Sequence, residues 1–310
     1  MSQKIDETLT QLQQGITELF DSEKYKEYLD VMSKFHDYSV NNCLLISMQR
    51  PDATYVAGYT AWKEKFKRQV MKGEHGITII SPAPIKKKKD VEIKDAEGNP
   101  VLDQNGNPIT ETKEYTQQSF RIAKVFDISQ TEGEPLPELV SELTDPVEGF
   151  SDYLDAIKAI SPVPIRFDGI VGSANGYYSP QKQEIVIRRG MPEEQTLKTM
   201  LHECAHARLG HGGDTDHTDR QTKEVQAESV AYCCCRALGL DASNYSFGYI
   251  AGWSSGKEQK ELKESLQVIR EQADLMIKGI EKEMKLVMEL RQEKLIPLPV
   301  IEASKIKISM

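Results

Sequence analysis

The chain has 310 residues, 39% hydrophobic and 28% charged, with a net charge of -9. That is enough for two ordinary domains, and no apolar run approaches the ~20 residues needed to cross a bilayer. The acidic balance argues against a protein that is basic all over, and five cysteines, an odd number with three of them consecutive, do not read as a disulfide framework.

The N-terminus, Met1 to Ile16, is polar and lacks the apolar core of a secretory signal, so a cytoplasmic address is expected. Ile5, Leu9, Leu12, Ile16 and Leu19 recur at steps of four and three, which predicts an amphipathic helix. Ser22 is placed to cap a second helix carrying Tyr25, Tyr28, Leu29, Met32 and Phe35. A third helical piece holds Leu44, Leu45, Ile46 and Met48 and stops before Pro51. A turn at Gly58 and a short helix capped by Thr60 follow, then a strand from Ile77 to Ile80. Between Arg50 and Lys94, eleven cations stand against five acids, a candidate anion-binding face. Residues 86–118 are polar, with two Asn-Pro turns, and predict a protruding hairpin insert. Phe120 to Ile128 reads as a strand closing this region, and the proline-rich stretch after Glu132 as a linker.

The second half opens with a helix from Gly149 to Ile160 and a strand from Val163 to Phe167. Gly176 to Ile187 reads as a hairpin, whose strand Glu184 to Ile187 offers an edge for an extended peptide. Two helices follow, one running to about Leu209 and one from about Thr222 to Leu238. Cys233, Cys234 and Cys235 on the latter point 100° apart and read as small core residues. From Glu258 to Lys294, the stripe Leu262, Leu266, Ile269, Ala273, Met276, Ile280, Met284 and Val287 predicts a long helix packed on the body or on a second copy.

The chemistry concentrates in His202-Glu203-Cys204-Ala205-His206. Residues four apart on a helix lie nearly above one another, so both imidazoles aim at one point, as two ligands of a single zinc ion require. Glu203 flanks that point, where it can take a proton from a water activated by the ion. A third ligand is needed. His211 and His217 do not fit the HExxHxxGxxH spacing, since Leu209 and Gly212 occupy its glycine and histidine positions, and they read as loop residues. Glu224 and Glu228, one turn apart on the next helix, remain. Glu224 is the preferred ligand, with Glu228 accepting a hydrogen bond from the outer N–H of a ligand histidine. Small Ala227 and Ala231 let the two helices approach. Tyr177 or Tyr178 is placed to assist an oxyanion. In the basic region, Lys63, Lys65, Lys67, Arg68 and Lys72 lie beside Tyr59, Trp62 and Phe66. That pattern serves single-strand binding as well as a solvated face, although Trp62 and Phe66, one turn apart, have the spacing of core residues.

The stretch from Gly176 through Ala231 resembles the ImmA/IrrE-type zinc peptidases, a gluzincin-like group. The first half resembles the N-terminal domain of ArdC-type antirestriction proteins, including LtrC-like variants of conjugative elements. That likeness rests on Asn42-Cys43-Leu44-Leu45-Ile46, Ala53 to Tyr59 with Trp62, Lys72-Gly73-Glu74-His75-Gly76, Val125-Phe126-Asp127-Ile128 and Gln130-Thr131-Glu132-Gly133. His75 departs from the lysine usual in that turn, the insert is long, and the tail after Gly256 has no counterpart. The resemblance implies an α+β protein of two domains acting in a cell that receives a mobile element. Residues 1–135 would form the single-stranded-DNA-binding domain, 136–147 a linker and 148–256 the zincin-like metallopeptidase domain, and the apolar stripe from Glu258 makes 257–310 a helical tail. It implies His202, His206 and Glu224 as ligands of one Zn2+ and Glu203 as catalytic base, acting on a peptide or protein substrate. Two other readings remain: a regulatory peptidase cleaving a protein repressor, and a non-catalytic DNA-protecting protein with structural zinc.

Overall fold

In the computed structural model, the described residues are 3–94, 98–102, 104, 106–136, 146–242, 245 and 247–295. Three helices come first: α1 (Gln3–Leu19), α2 (Ser22–Lys34) and α3 (Val40–Gln49). A strand-rich stretch follows, comprising β1 (Val56–Gly58), α4 (Tyr59–Glu64), β2 (Arg68–Val70), β3 (Ile77–Pro82), β4 (Ile85–Glu92), β5 (Thr110–Gln117), β6 (Phe120–Asp127) and β7 (Thr131–Gly133). The remainder is α5 (Pro146–Ile160), β8 (Ile165–Asp168), β9 (Gly176–Ser179), β10 (Glu184–Arg188), α6 (Glu193–Arg208), α7 (Arg220–Ala237), α8 (Ile250–Ser254) and α9 (Gln259–Leu295). The fold is α+β, and the chain divides into two units: residues 1–15 with 44–135, and 16–43 with 136–310. Chain order and unit membership therefore differ, because residues 16–43 pack with the second unit. Most of the expected linker lies outside the described residues.

In the first unit an antiparallel sheet has the order β1-β6-β3. Trp62 is fully buried against it and donates from its indole N–H to the Phe126 carbonyl at 2.8 Å. Tyr55 and Phe66 complete an aromatic cluster around Trp62, with ring centroids 5.1–5.6 Å apart, so Trp62 and Phe66 belong to the core. Buried Asp127 organises the loops at the end of β6. Its carboxylate accepts from the backbone N–H groups of Thr54 (2.7 Å), Tyr55 (3.1 Å) and Ser129 (2.9 Å) and from the Ser129 hydroxyl (2.7 Å). Gln130, also buried, accepts from the Asp127 N–H and donates to Glu74 and to the His75 carbonyl, which ties the Lys72–Gly76 turn to β6. Gly133 has φ +138°, and a Cβ there would lie 2.6 Å from the Lys67 carbonyl oxygen where β7 pairs with β2. These contacts give a physical reason for the Asp127-Ile128-Ser129-Gln130-Thr131-Glu132-Gly133 run.

The insert is the expected hairpin. β4 and β5 pair antiparallel with every residue exposed, and the pairing segregates side chains by a two-residue period. One face carries Lys87, Lys89, Lys113 and Tyr115; the other carries Lys86, Lys88, Asp90 and Glu114.

In the second unit, α7 is buried nearly all round, packed by α2, α6, α8 and α9. That explains why three consecutive cysteines can all be buried. The stripe on α9 is buried from Leu262 to Met284 and covers α7 and α5, so this helix docks on the body of its own chain. The small sheet has the order β8-β10-β9, with β8 parallel and β9 antiparallel to β10.

Three local expectations need correction. The cap of α2 is Asp21, which accepts from the Glu23 N–H, and not Ser22. Gly58 precedes α4, which takes Thr60 into its first turn. The strand Glu184–Arg188 is central in its sheet and offers no edge, because β8 and β9 flank it; β9 is the edge strand beside α6.

Burial alone would raise the Asp127 carboxyl, but the Ser129 hydroxyl and the three backbone N–H groups outweigh it and hold it below the ordinary carboxylate range. Asp127→Ala is expected to lower stability by about 1–3 kcal/mol at neutral pH, because it strands buried donors. A depressed folded-state pKa contributes stability that is full above the unfolded value of about 4 and is lost as pH falls through the folded one. Urea unfolding of both proteins at stepped pH should therefore show their difference shrinking in acid.

Candidate metal centre

Helix α6 ends in a turn that reaches back onto itself. Gly210 adopts φ +68° just past the helix, and its N–H bonds to the Ala207 carbonyl while the His211 N–H bonds to the His206 carbonyl. This paired closure with a left-handed glycine is a Schellman motif. It returns the buried His211 ring to His206, with the two Nδ1 atoms 2.8 Å apart. Asp216 then shapes the connection to α7, accepting from the Gly212 and Thr218 N–H groups and pairing with Lys223 at 2.7 Å. Asp219 caps α7 by accepting from the Thr222 N–H. Fully buried Ala205, Ala227 and Ala231 are small enough for α6 and α7 to pack closely.

The packing brings His202 and His206 of α6 to Glu224 of α7. The two Nε2 atoms lie 3.1 Å apart, and the Glu224 Oε2 lies 3.7 Å from each. A tetrahedral ion with ligand bonds of ~2.0–2.2 Å sets its donor atoms about 3.3 Å apart, so this triangle fits one divalent cation. The electrostatics agree. Two imidazole nitrogens at that distance beside a carboxylate favour a shared positive charge, whether a proton or a metal ion. Burial would lower the His202 pKa, but Glu224 and Glu228, helped by Glu203, reverse this and push it up to about 10. The same contacts with His202 and His206 hold the Glu224 carboxyl far below the ordinary range. Glu224 is half-exposed, which leaves the centre open to solvent on its side.

With both Nε2 atoms ligating an ion, each Nδ1 would carry the proton, and the contacts around each ring suit that tautomer. His202 donates to the Glu228 Oε2 at 3.0 Å. His206 donates to His211, whose Nε2–H in turn reaches the Gln226 Oε1 at 3.2 Å, and Gln226 donates to the Ser265 hydroxyl on α9 at 3.1 Å. Burial, reinforced by the nearby His206, holds the His211 pKa down at about 4, so this ring is neutral and free to accept. His211 is therefore no bystander of the loop. The signal for it in the sequence was a glycine directly after the helix followed by histidine. His217, by contrast, is exposed.

Glu203 is buried beside the cluster and takes a hydrogen bond from the Tyr178 backbone N–H. Burial raises its carboxyl above the ordinary value, while His202 and His206 pull the other way. The Tyr178 hydroxyl is occupied by the Gln183 amide at 3.2 Å, whereas the Tyr177 ring is 39% exposed on β9. Tyr249 was not anticipated; burial raises its pKa, and so do the adjacent charges of Glu228 and Glu224. In the first unit Lys63, Lys65, Lys67 and Lys72 are exposed. Arg68 is not free in the same way, since its guanidinium donates to the Thr131 hydroxyl and to the carbonyls of Thr131, Gly133 and Glu134.

A histidine pair one turn apart, an intervening glutamate and a carboxylate from the next helix form the side-chain set of a metallopeptidase-like domain. Comparison with known families agrees. Residues 1–127 match the N-terminal domain of the anti-restriction factor ArdC, and residues 165–278 match the IrrE N-terminal-like domain of peptidase M78 type. The chain thus has the ArdC-type architecture, an ArdC N-terminal domain followed by an IrrE-like domain. The second match runs past Gly256 into α9. The uncharacterized protein pXO2-81 of Bacillus anthracis is 27% identical over 320 residues, which cover 94% of this chain and 52% of that protein. The chain thus spans about half the length of this relative. Among solved structures, the metal-free antirestriction ArdC protein of plasmid R388 is 19% identical, with a TM-score of 0.44 over 79% of this chain and 86% of that one. Its Mn(II)-bound form is 21% identical, with a TM-score of 0.39 over 81% and 84%. Among the described residues, no helix is long and apolar enough to cross a membrane.

Partners that orient a metal-bound histidine are typically worth 10–100-fold in affinity. His211→Phe should weaken metal binding by about that factor in chelator competition. His217→Phe should leave it unchanged.

Proposed function

We propose that this chain is an antirestriction-like protein of a mobile genetic element, acting in the cytoplasm of the cell that receives the element. In this reading its N-terminal domain binds single-stranded DNA and its second domain hydrolyses a peptide bond at one zinc ion. The observation that carries the peptidase half is the buried Glu203 carboxylate beside the His202, His206 and Glu224 triangle. A purely structural site has no use for it. Two imidazoles and one carboxylate suit zinc, with a further position left for solvent or substrate.

When bound, the ion supplies Lewis acidity, polarising a carbonyl and making water more acidic. The chain's own residues do the rest. The Tyr178 backbone N–H fixes the Glu203 carboxylate, which accepts the proton from water and passes it to the leaving amine. Glu228 and the neutral His211 hold the two imidazoles in the tautomer that turns Nε2 inward. An extended substrate fits the free edge of β9 next to α6. Tyr177 on that strand has a ring available to a substrate oxygen, in contrast to the engaged hydroxyl of Tyr178.

The DNA half is supported by the ArdC N-terminal match and by exposed Lys63, Lys65, Lys67 and Lys72 near Tyr59. Because residues 16–43 pack with the second unit, both halves are tested on the full chain.

Glu203→Gln should retain stoichiometric zinc and lose hydrolysis of a fluorogenic peptide library by at least ~100-fold, the lower end for general acid–base catalysis. Undiminished hydrolysis by that variant would sink the mechanism. For DNA, the log of the affinity for a single-stranded oligonucleotide should fall with log salt by about 0.7 per phosphate contacted. Lys63→Gln with Lys65→Gln should flatten that slope, and a slope near zero in the unaltered protein would remove DNA from the proposal.

A further inference from the structure

Beside the metal centre lies a cavity of about 270 Å³ lined by Asn175, Gln195, Lys198 and Tyr245 together with His202 and Glu203. That is room for roughly one side chain, below the ~300–1,000 Å³ of pockets for whole small molecules. Its most unusual member is Lys198. The residue stands one helical turn before His202 on α6, so both face the same side of the helix. Only 7% of Lys198 is exposed.

A buried ammonium needs partners for its three N–H donors. The carboxylates of Glu194 and Asp241 lie 3.6 and 3.9 Å away. Both distances exceed the 2.7–2.9 Å of a charge-assisted hydrogen bond. Both acids are also half-exposed, where solvent screens them. They compensate the charge loosely and leave its donors for a group inside the cavity. The neighbouring wall is polar too. The Gln195 amide bonds to the Thr199 hydroxyl at 3.2 Å, and Asn175 contributes a second amide at the start of β9. Of the carboxylates lining the cavity, Glu228 is already bonded to His202 and Glu203 takes the Tyr178 backbone N–H.

We propose that Lys198 makes this cavity a specificity pocket for an acidic side chain, so that the preferred substrates are peptides with Glu or Asp next to the bond presented at the metal centre. A substrate carboxylate there takes the hydrogen bonds that Glu194 and Asp241 are too distant to take. An aliphatic side chain of the same length buries the ammonium further and gives it nothing in return. The inference rests on the peptidase reading, and its test separates the two.

Four N-acetyl-aminoacyl hydroxamates that differ only in side chain (Glu, Gln, Lys and Leu) are titrated calorimetrically into the zinc-loaded full chain. The hydroxamate grips the metal in every case, so the order of affinities reports the cavity. The Glu probe should bind about tenfold more tightly than the Gln and Leu probes, and the Lys probe most weakly. Lys198→Met should erase that preference, and Lys198→Arg should keep it, with zinc content and circular dichroism unchanged in both. Equal binding of the four probes to the unaltered protein overturns the pocket and leaves the metal centre standing, whatever the variants do. The same preference surviving in Lys198→Met overturns it as well. If no probe binds, the open metal centre falls, and the pocket with it.

Discussion

The burial of α7 on nearly every side is the constraint on which the centre depends. From Val225 to Cys235 nearly every residue of this helix is buried, polar Gln226 and Ser229 included, and α2, α6, α8 and α9 enclose it. Its first turns emerge from that enclosure carrying Glu224 and Glu228, at the level where α6 presents His202 and His206. The register is fixed by polar bonds as well as by packing. Tyr25 of α2 bonds to Ser229 at 2.9 Å, and Asp30 accepts from both Tyr232 and Arg236. Each of these ties a different position along α7, so sliding or rotating the helix would break the buried Tyr25–Ser229 bond together with the two bonds to Asp30. The scaffold of the metal centre thus draws on residues near the start of the chain. Cutting after residue 135 would strip α2 from α7 and expose a face of valine, tyrosine and cysteine.

The imidazoles of His202 and His206 are held in unlike ways, and the difference has chemical consequences. His202 is backed by a carboxylate, which raises its basicity as a ligand. His206 is backed by a neutral histidine and, through it, by an amide and a hydroxyl. In the proposed centre Glu224 would already bring a negative charge to the ion, and a second backing carboxylate would add more and weaken the ion as an electrophile. The neutral relay orients the ring without that cost. It also ends on Ser265, so the docking of α9 and the orientation of His206 are parts of one hydrogen-bond chain. The match to the IrrE-like domain continuing to residue 278 is intelligible on this basis, since α9 supplies part of the site's support as well as the lid of its core.

What the sequence revealed and what it concealed divide along the range of the interactions involved. The histidine pair and the Glu224/Glu228 pair were legible because one helical period decides which residues share a face. The long stripe on α9 was legible for the same reason. His211 was hidden, because its role depends on a left-handed residue at Gly210 folding the chain back by one turn. The central position of β10 was written in Ile185-Val186-Ile187, a continuous apolar run of the kind buried on both faces, and a reading that looked for an edge overlooked it. The membership of α2 was not legible at all. An amphipathic pattern states that a helix has a partner without saying which.

The same distinction governs the basic region. Counted along the chain, residues 50–94 look like one cationic field. In three dimensions Arg68 is spent on the carbonyls of β7, and the Lys86–Lys89 run is split between two faces of a hairpin. Lys88 is matched across the strands by Glu114, and Asp90 bonds to Thr112 on that same face. The opposite face sets Lys89 directly across from Lys113 and Lys87 across from exposed Tyr115. Like charges facing each other destabilise a strand pair, and here Glu111 on the same face pairs with Lys113 at 3.5 Å and offsets part of that repulsion. With Lys72 sharing a cavity wall with Tyr59, and Lys63, Lys65 and Lys67 exposed along the chain before it, the unit carries spaced cations and exposed aromatic rings in place of a dense patch. A rigid duplex would meet such a surface at few points. A flexible single strand could bend its phosphates to the lysines and stack bases on the rings, and that difference in compliance is the physical content of the single-strand reading proposed above.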